Sequence, residues 1–264
     1  MKIAIIGAGA MGGSFAQGLL KGSICSPADI TVANPHTEKL RPFAEMGAKV
    51  TTDNTTAIAG ADWVAIVVKP WLVAQVIEEL KPHLDYQRQG IINMAAAIPS
   101  TQLLAWLDKD GQHPTVFQAI PNLAIAVRSS MTFIATPNAL PEQTEIVQAL
   151  FADLGQAMVV DERLLGAGTT IAGCGIAYAM RYIRAAMEGG VEIGFRANEA
   201  RDIVLQTVKG AVELLQATGH HPEAEIDRVT TPGGLTIRGL NEMERCGFTH
   251  AVISGLKAGI ARPA

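Results

Sequence analysis

Through residues 1–161, short apolar runs alternate with segments whose apolar positions recur every three or four residues. The runs Lys2–Ile6, Asp29–Ala33, Lys49–Thr51, Trp63–Val68, Gly90–Asn93, Thr115–Ala119, Met131–Ala135 and Ala157–Val160 predict strands. Several are apolar on both faces, as strands of a parallel sheet covered by helices are. Between them Gly12–Lys21, Thr37–Glu45 and Leu72–Leu80 carry the helical period. Strand and helix in turn predict an α/β fold with a doubly wound sheet and right-handed crossovers.

After Asp161 the strand signals nearly vanish and long helical stretches take over. Ala177–Gly194 places Tyr178, Ile183, Ala186, Met187 and Ile193 at helical spacing. Asn198 is the expected N-cap of a helix running to Gln216, with Glu199 just after it and Gly219 just beyond its end. Further helices are predicted at Pro222–Arg228, Ile237–Arg245 and Thr249–Ala261. The pattern predicts two domains, 1–161 and 162–264, the second all-α. No Gly/Ser-rich linker separates them, so close packing of the two is expected.

Composition narrows the function classes. The chain has 264 residues, 48% hydrophobic and 17% charged. The charged fraction lies below the usual level of about 25%, which points to surface buried against another subunit. A net charge of −4 and a pI near 5.9 give no basic footprint, so neither nucleic acid nor an anionic membrane is an expected partner. Cys25, Cys174 and Cys246 form no C-x-x-C pair and read as reduced structural thiols, with the cytoplasm as the expected compartment. The chain opens directly on an apolar strand, without the cationic, apolar and cleavage regions of a signal peptide. No segment reaches the roughly 20 apolar residues that span a bilayer. No His/Glu cluster has metal spacing, so no metal is expected, and no G-x-S-x-G elbow occurs. His220-His221 reads as a solvated turn, and Arg181, Arg184, Glu188 and Glu192 as a helix face.

The sharpest local signal is Gly7-Ala8-Gly9-Ala10-Met11-Gly12, which follows an apolar strand and opens a helix. Gly7 permits the tight turn, Gly9 lets the backbone approach a pyrophosphate, and Gly12 lets the helix sit close to the sheet. The helix N-terminus adds free N–H groups and a partial positive charge. These residues predict dinucleotide binding. An NAD-preferring site usually carries Asp or Glu at the end of the second strand. Here Asn34-Pro35-His36-Thr37 has no acid, and Lys39 and Arg41 follow, so NADPH is the expected cofactor, with NADH possible.

Near the C-terminus, Thr230-Thr231-Pro232-Gly233-Gly234-Leu235-Thr236 sets paired glycines in a helical region, at a cost in helix stability. Two readings fit the residues alone: a sharp turn offering N–H groups to a small anion, or a helix–helix connection with Thr236 as N-cap.

With both stretches in view, the chain resembles the pyrroline-5-carboxylate reductase family over essentially its whole length. The resemblance runs through Ile6–Gly12, Val68-Lys69-Pro70, Ala172-Gly173-Cys174-Gly175-Ile176-Ala177-Tyr178, Gln206-Thr207 with Gly210-Ala211, and Val229–Thr236 with Gly239-Leu240. It implies a Rossmann-type domain followed by an all-helical dimerisation and substrate domain. The active site is then expected where the nicotinamide meets the helical domain at a homodimer interface, and rings of dimers also occur in the family. For the cofactor it implies Gly7, Ala8, Gly9, Ala10, Met11 and Gly12, then Asn34, Pro35 and Asn54, then Val68, Lys69 and Pro70, then Ala95, Ala96 and Asn122. For the substrate it implies Gly175, Gly233, Gly234 and Leu235, with Thr231 and Thr236 as catalytic residues. Some positions depart from the family's pattern: Ala97, Gln118, Ala172, Cys174, Ile176 and Leu235 stand where Gly, Arg, Ser, Ser, Pro and Thr or Ala are usual.

The implied reaction is NAD(P)H-dependent hydride transfer to the C=N bond of 1-pyrroline-5-carboxylate, giving L-proline in the last step of proline biosynthesis. Three alternatives fit the same architecture: a reductase of another cyclic imine, a β-hydroxyacid-type dehydrogenase, and a non-catalytic dinucleotide-binding regulator. The dehydrogenases carry a catalytic Lys soon after the linker, whereas here the first Lys beyond Gly175 is Lys209.

Overall fold

The computed structural model describes residues 1–260. Eight strands form one sheet: β1 (Ile3–Ile6), β2 (Ile30–Ala33), β3 (Lys49–Thr51), β4 (Trp63–Ile66), β5 (Gly90–Asn93), β6 (Val116–Ile120), β7 (Ser130–Ala135) and β8 (Gly155–Val159). Their order is β3-β2-β1-β4-β5-β6-β7-β8. The order reverses beside β1, so the carboxyl ends of β1 and β4 flank a crevice between diverging connections, where open α/β sheets bind ligands.

Alternation along β1 explains why the sheet is covered on both faces. Ile3 and Ile5 point into one core with Phe15 and Leu19 of α1 (Ala10–Lys21) and Leu150 and Phe151 of α6 (Pro141–Ala152). Ala4 and Ile6 point into the other, with residues of α3 (Asn54–Ile58), α4 (Val73–Leu80) and α5 (Ser100–Leu107). Phe15 and Phe151 stack with centroids 5.5 Å apart, tying α1 to α6. The remaining helix of this part, α2 (Arg41–Glu45), buries Phe43.

The strands follow the apolar runs to within two residues at each end. One feature departs from an all-parallel sheet: β6 and β7 pair antiparallel, with Ala119 opposite Ile134, and β8 runs parallel to β7. The connection at residues 121–129 is too short for a parallel crossover, which needs about a dozen residues. It folds instead into a 3-10 turn, Leu123–Val127, that ends on Arg128 in the left-handed region at φ +58°. The Arg128 guanidinium locks the turn by donating to the Asp153 carbonyl and carboxylate, each at 2.8 Å.

The chain divides into two compact units, Met1–Gly173 and Cys174–Ala264. Helical structure takes over at Glu162, where the strand pattern ends, but α7 (Leu165–Gly168) and most of the π-helix Thr169–Cys174 belong to the first unit. Leu165 packs with Ile120 and Ala135, and Gly168 lies against the Phe133 ring, where a side chain would collide.

The second unit holds α8 (Gly175–Glu192), α9 (Ala197–Thr218), α10 (Pro222–Arg228), α11 (Leu235–Arg245) and α12 (Phe248–Ala258). The expected end of the last helix at Ala261 lies outside the described residues. Two caps differ from expectation. The N-cap of α9 is Arg196, not Asn198: Glu199 reaches back to the Arg196 N–H at 2.9 Å and shifts the start by two residues. The N-cap of α11 is Gly234, which leaves Thr236 inside the first turn. His220-His221 is more than a solvated turn, since His220 Nδ1 lies 2.7 Å from Glu225 and His221 caps α10 through the Glu223 N–H. Helices α8, α11 and α12 bury no residue, and α9 buries only Ala200.

Candidate functional site

The glycine turn separates three roles. Gly7 has φ +108°, and a Cβ there would press on the Val67 carbonyl. A Cβ on Gly12 would collide with the Gly7 carbonyl oxygen. Gly9 is different: its backbone is extended (φ −73°), and a Cβ there would meet no protein atom within 4 Å. Gly7 and Gly12 are therefore explained by the protein's own packing. At Gly9 the missing side chain leaves a space at the N-terminus of α1, whose N-cap has no side-chain hydrogen bond. Free N–H groups and the positive end of the helix dipole face that space, which suits a pyrophosphate.

From this turn a cleft of about 650 Å³ runs between the ends of the central strands. Gly7, Gly9, Ala10 and Met11 line it at β1, Asn34 and Pro35 at β2, and Asn54 at the start of α3. Val68, Lys69 and Pro70 line it after β4, and Ala95 and Ala96 after β5. Three residues implied for the cofactor do not line it. The Ala8 N–H donates to Asn34 Oδ1 at 3.2 Å, Gly12 packs on Gly7, and the Asn122 amide caps the 3-10 turn and donates to the Ala172 carbonyl at 3.3 Å.

Asn34 is buried, and its side chain is engaged. Besides accepting from Ala8, it donates to the His36 carbonyl at 3.2 Å. It thus ties the glycine turn to the β2 loop, and the wall beside it is carried by Pro35, His36 and Lys39. Asn54 is oriented from below. Asp53 caps α3 by accepting the Thr55 hydroxyl and N–H, each at 2.8 Å, and the Thr56 hydroxyl at 2.8 Å. These bonds, the Thr55 hydroxyl first, hold the Asp53 carboxyl near a pKa of about 2. Asn54 then donates to Glu79 at 3.0 Å.

The far end of the cleft rests on a buried amide pair. Asn93 donates to Gln118 at 2.8 Å and to the Ala95 carbonyl at 2.9 Å, while Gln118 donates to the Ile98 carbonyl. Between these anchors Ala97 sits at φ +63°, a strained conformation for a residue with a Cβ. Gln118, where the family usually has Arg, is thereby a neutral brace fully enclosed in the fold.

The second unit brings together Thr231, Gly233, Gly234, Leu235 and Thr236. The Gly234 N–H donates to the Thr231 carbonyl at 2.9 Å, with Pro232 and Gly233 (φ +70°) at the two central positions of the turn. Pro then Gly with positive φ is the type II pattern. The Thr231 hydroxyl lies against Gly234, where a side chain would collide. Gly234 caps α11 without a side-chain bond, so the N–H groups of Leu235 and Thr236 have no intrahelical partner. The stretch is a helix–helix connection, though with Gly234 and not Thr236 as the N-cap, and its N–H groups are exposed. Leu235 is 85% exposed. Gly175 opens α8 directly after the π-helix.

Sequence reasoning missed Leu72, the N-cap of α4, and Gln75, Val76 and Glu79 within α4, which line the cleft. Their spacing is the only signal: positions 72, 75, 76 and 79 share one helix face. A groove of similar volume, about 660 Å³, lies between α4 and α5 and includes Lys81, Trp106 and Lys109, but no strand residue reaches it. No cluster of three potential metal ligands occurs among the described residues.

Residues 162–264 match the family profile for pyrroline-5-carboxylate reductase dimerisation, and residues 2–97 that for coenzyme F420-dependent NADP oxidoreductases. Pyrroline-5-carboxylate reductase 2 of Dictyostelium discoideum is 35% identical, covering 97% of this chain and 89% of the relative. Pyrroline-5-carboxylate reductase 1 of the same organism is 34% identical over 96% of this chain, which spans 48% of that longer protein. The structure of the Plasmodium falciparum pyrroline carboxylate reductase, solved with NADP bound, shares the fold at a TM-score of 0.88 and 22% identity, covering 98% of this chain and 95% of that one. By its near full-length identity to these relatives, the chain belongs to the pyrroline-5-carboxylate reductase family.

Proposed function

We propose that this protein uses NADPH to reduce 1-pyrroline-5-carboxylate to L-proline, the last step of proline biosynthesis. The observation that carries the reading is the Thr231–Thr236 element, a type II turn presenting unpaired N–H groups and two threonine hydroxyls, in a chain that also builds a dinucleotide cleft. The space at Gly9 fits the pyrophosphate of the cofactor, whose nicotinamide supplies the hydride for the imine carbon. Ala10 and Met11 offer backbone N–H groups to the pyrophosphate, and the basic Lys39 with His36 favours a 2′-phosphate at the end of β2. NADH is the weaker cofactor.

The chain's residues bind and orient the substrate. The N–H groups at the start of α11 and the Thr231 hydroxyl hold its carboxylate, as helix N-termini hold anions. The Thr236 hydroxyl hydrogen-bonds the imine nitrogen and relays to it a proton taken from solvent, so that the hydroxyl is restored as the nitrogen is protonated and the resulting iminium accepts the hydride more readily than the neutral imine. Gly175 keeps the head of α8 clear of a side chain. The apolar residues left exposed on α8, α9 and α12 support a homodimer, and three free cysteines suit the cytoplasm. No helix among the described residues is long and apolar enough to cross a membrane.

The test is loss of reduced-nicotinamide absorbance on mixing the protein with NADPH and pyrroline-5-carboxylate, repeated with NADH. Rapid oxidation with proline as product is the expected result. Tight NADPH binding without turnover would move the assignment to another cyclic imine or to a regulator.

A further inference from the structure

Four residues on one face of the α4 segment turn toward the cleft, and their chemistry is ordered. Leu72 and Val76 are apolar, Gln75 and Glu79 polar, at the spacing i, i+3, i+4, i+7. Across the cleft stand Pro35, His36 and Lys39, carried by the loop after β2. In a sheet of this topology the adenosine half of a dinucleotide runs from the glycine turn toward the end of the second strand. The slot between the β2 loop and α4 therefore receives the adenine, with Leu72 and Val76 beside the flat ring.

Glu79 needs its own explanation there. A carboxylate on the wall of a cleft for a polyanion is electrostatically unfavourable unless it makes a specific bond. Its orientation is not left free: Asn54, the first residue of the helix that Asp53 caps, donates to Oε2 at 3.0 Å. That leaves Oε1 as an acceptor at the slot. Adenine's exocyclic 6-amino group is the donor on the base that such an acceptor reads. Resting on the reading of this cleft as the NADPH site, we infer that Glu79, fixed by Asn54, accepts a hydrogen bond from the adenine 6-amino group and selects adenine over other purines.

The experiment compares NADPH with reduced nicotinamide hypoxanthine dinucleotide phosphate, which carries an oxo acceptor in place of the 6-amino donor. Kd is measured by quenching of protein fluorescence and KM by steady-state assay. The wild-type protein is expected to bind the hypoxanthine form about tenfold more weakly, the size of one hydrogen bond to a charged group. Glu79→Ala should shrink that ratio to within about twofold by weakening NADPH alone, with Glu79→Gln in between. A wild-type ratio near one, or a ratio unchanged in Glu79→Ala, would overturn the inference. A loss confined to NADH would overturn it too, since the carboxylate would then be reading a ribose hydroxyl. Gly9→Trp separates the two levels. If it binds NADPH normally, the cleft reading itself fails; if it abolishes binding while Glu79→Ala leaves the ratio intact, only the role of Glu79 fails. Thermal unfolding of each variant reports whether it is folded.

Discussion

At the scale of single residues, the three glycines of the turn look alike in the sequence and differ in cause. A side chain at Gly12 meets the Gly7 carbonyl; a side chain at Gly9 meets no protein atom within 4 Å. Gly9→Ala should thus fold with stability within about 0.5 kcal/mol of wild type yet bind NADPH at least tenfold more weakly. Gly12→Ala should lose about 1–3 kcal/mol from overpacking. Thermal unfolding and fluorescence titration of the pair check this, and equal destabilisation by both would refute the division of roles. The motif and the division of its roles were legible, since the spacing alone set Gly7 at the turn, Gly9 at the ligand and Gly12 against the sheet; the atoms that enforce it, the Val67 and Gly7 carbonyls, were not. Asn34 shows the same limit. The resemblance implied it for the cofactor, and it does line the cleft, but its side chain is engaged by the Ala8 N–H and the His36 carbonyl. Asp153 carries a pH-dependent prediction. Burial alone would raise its pKa, but the N–H and hydroxyl of Ser23 and the Arg128 guanidinium outweigh that and lower it. A folded pKa below the unfolded one adds stability that is complete above the unfolded value, about 3.9, and fades as pH falls below it. Asp153→Asn should lower the midpoint of thermal unfolding at pH 7 and narrow its gap from wild type toward pH 3.

At the scale of elements, the positions of β1, β4, β5 and β6 were legible because these strands are buried on both faces and serve two cores. Direction was not, since periodicity is identical for a strand running either way. β7 reverses because the 121–129 connection is too short, and Arg128 and Asp153 hold it closed. Helix starts were uncertain for a related reason: Glu199 bonds whichever N–H lies three residues before it, and that is Arg196. The segments α3 and α5, at five and eight residues, are too short for a 3.6-residue period to stand out. Helix α11 carries the element-scale prediction. Thr236 sits in its first turn, beyond the Gly234 cap, so its hydroxyl is not consumed in capping. Thr236→Ala should leave helix stability within about 0.5 kcal/mol and the NADPH Kd unchanged, while kcat falls by about tenfold or more. Stopped-flow and steady-state assays with pyrroline-5-carboxylate, beside a Kd titration, separate these quantities; an unchanged kcat/KM would remove Thr236 from the reaction.

For the whole molecule, the two units solve the burial problem differently. The first builds two closed cores around its sheet; the second leaves apolar side chains such as Tyr178, Met180, Ile203, Leu205, Val212 and Ile253 at 39–58% exposure. Within it α8 packs along α9, where Gly190 lets Ala200 approach, and Tyr182 of α8 meets Phe248 of α12 edge-on at 6.4 Å. A helical unit with so little interior of its own fits the dimerisation profile that residues 162–264 match, because a partner surface would cover its apolar side chains. A stable dimer buries on the order of 1,200–2,000 Å². If a second copy supplies that burial, the thermal midpoint should rise with protein concentration, because association is coupled to folding. Leu205 and Val212 lie seven residues apart on α9, on one face. Replacing both with Glu should shift the species seen by sedimentation velocity toward the 27.9 kDa chain and lower the thermal midpoint by several degrees, while NADPH quenching persists in the first unit. A wild-type protein that sediments as a monomer at micromolar concentration, with a midpoint independent of concentration, would show that the apolar faces of α8, α9 and α12 are covered by something other than a second copy.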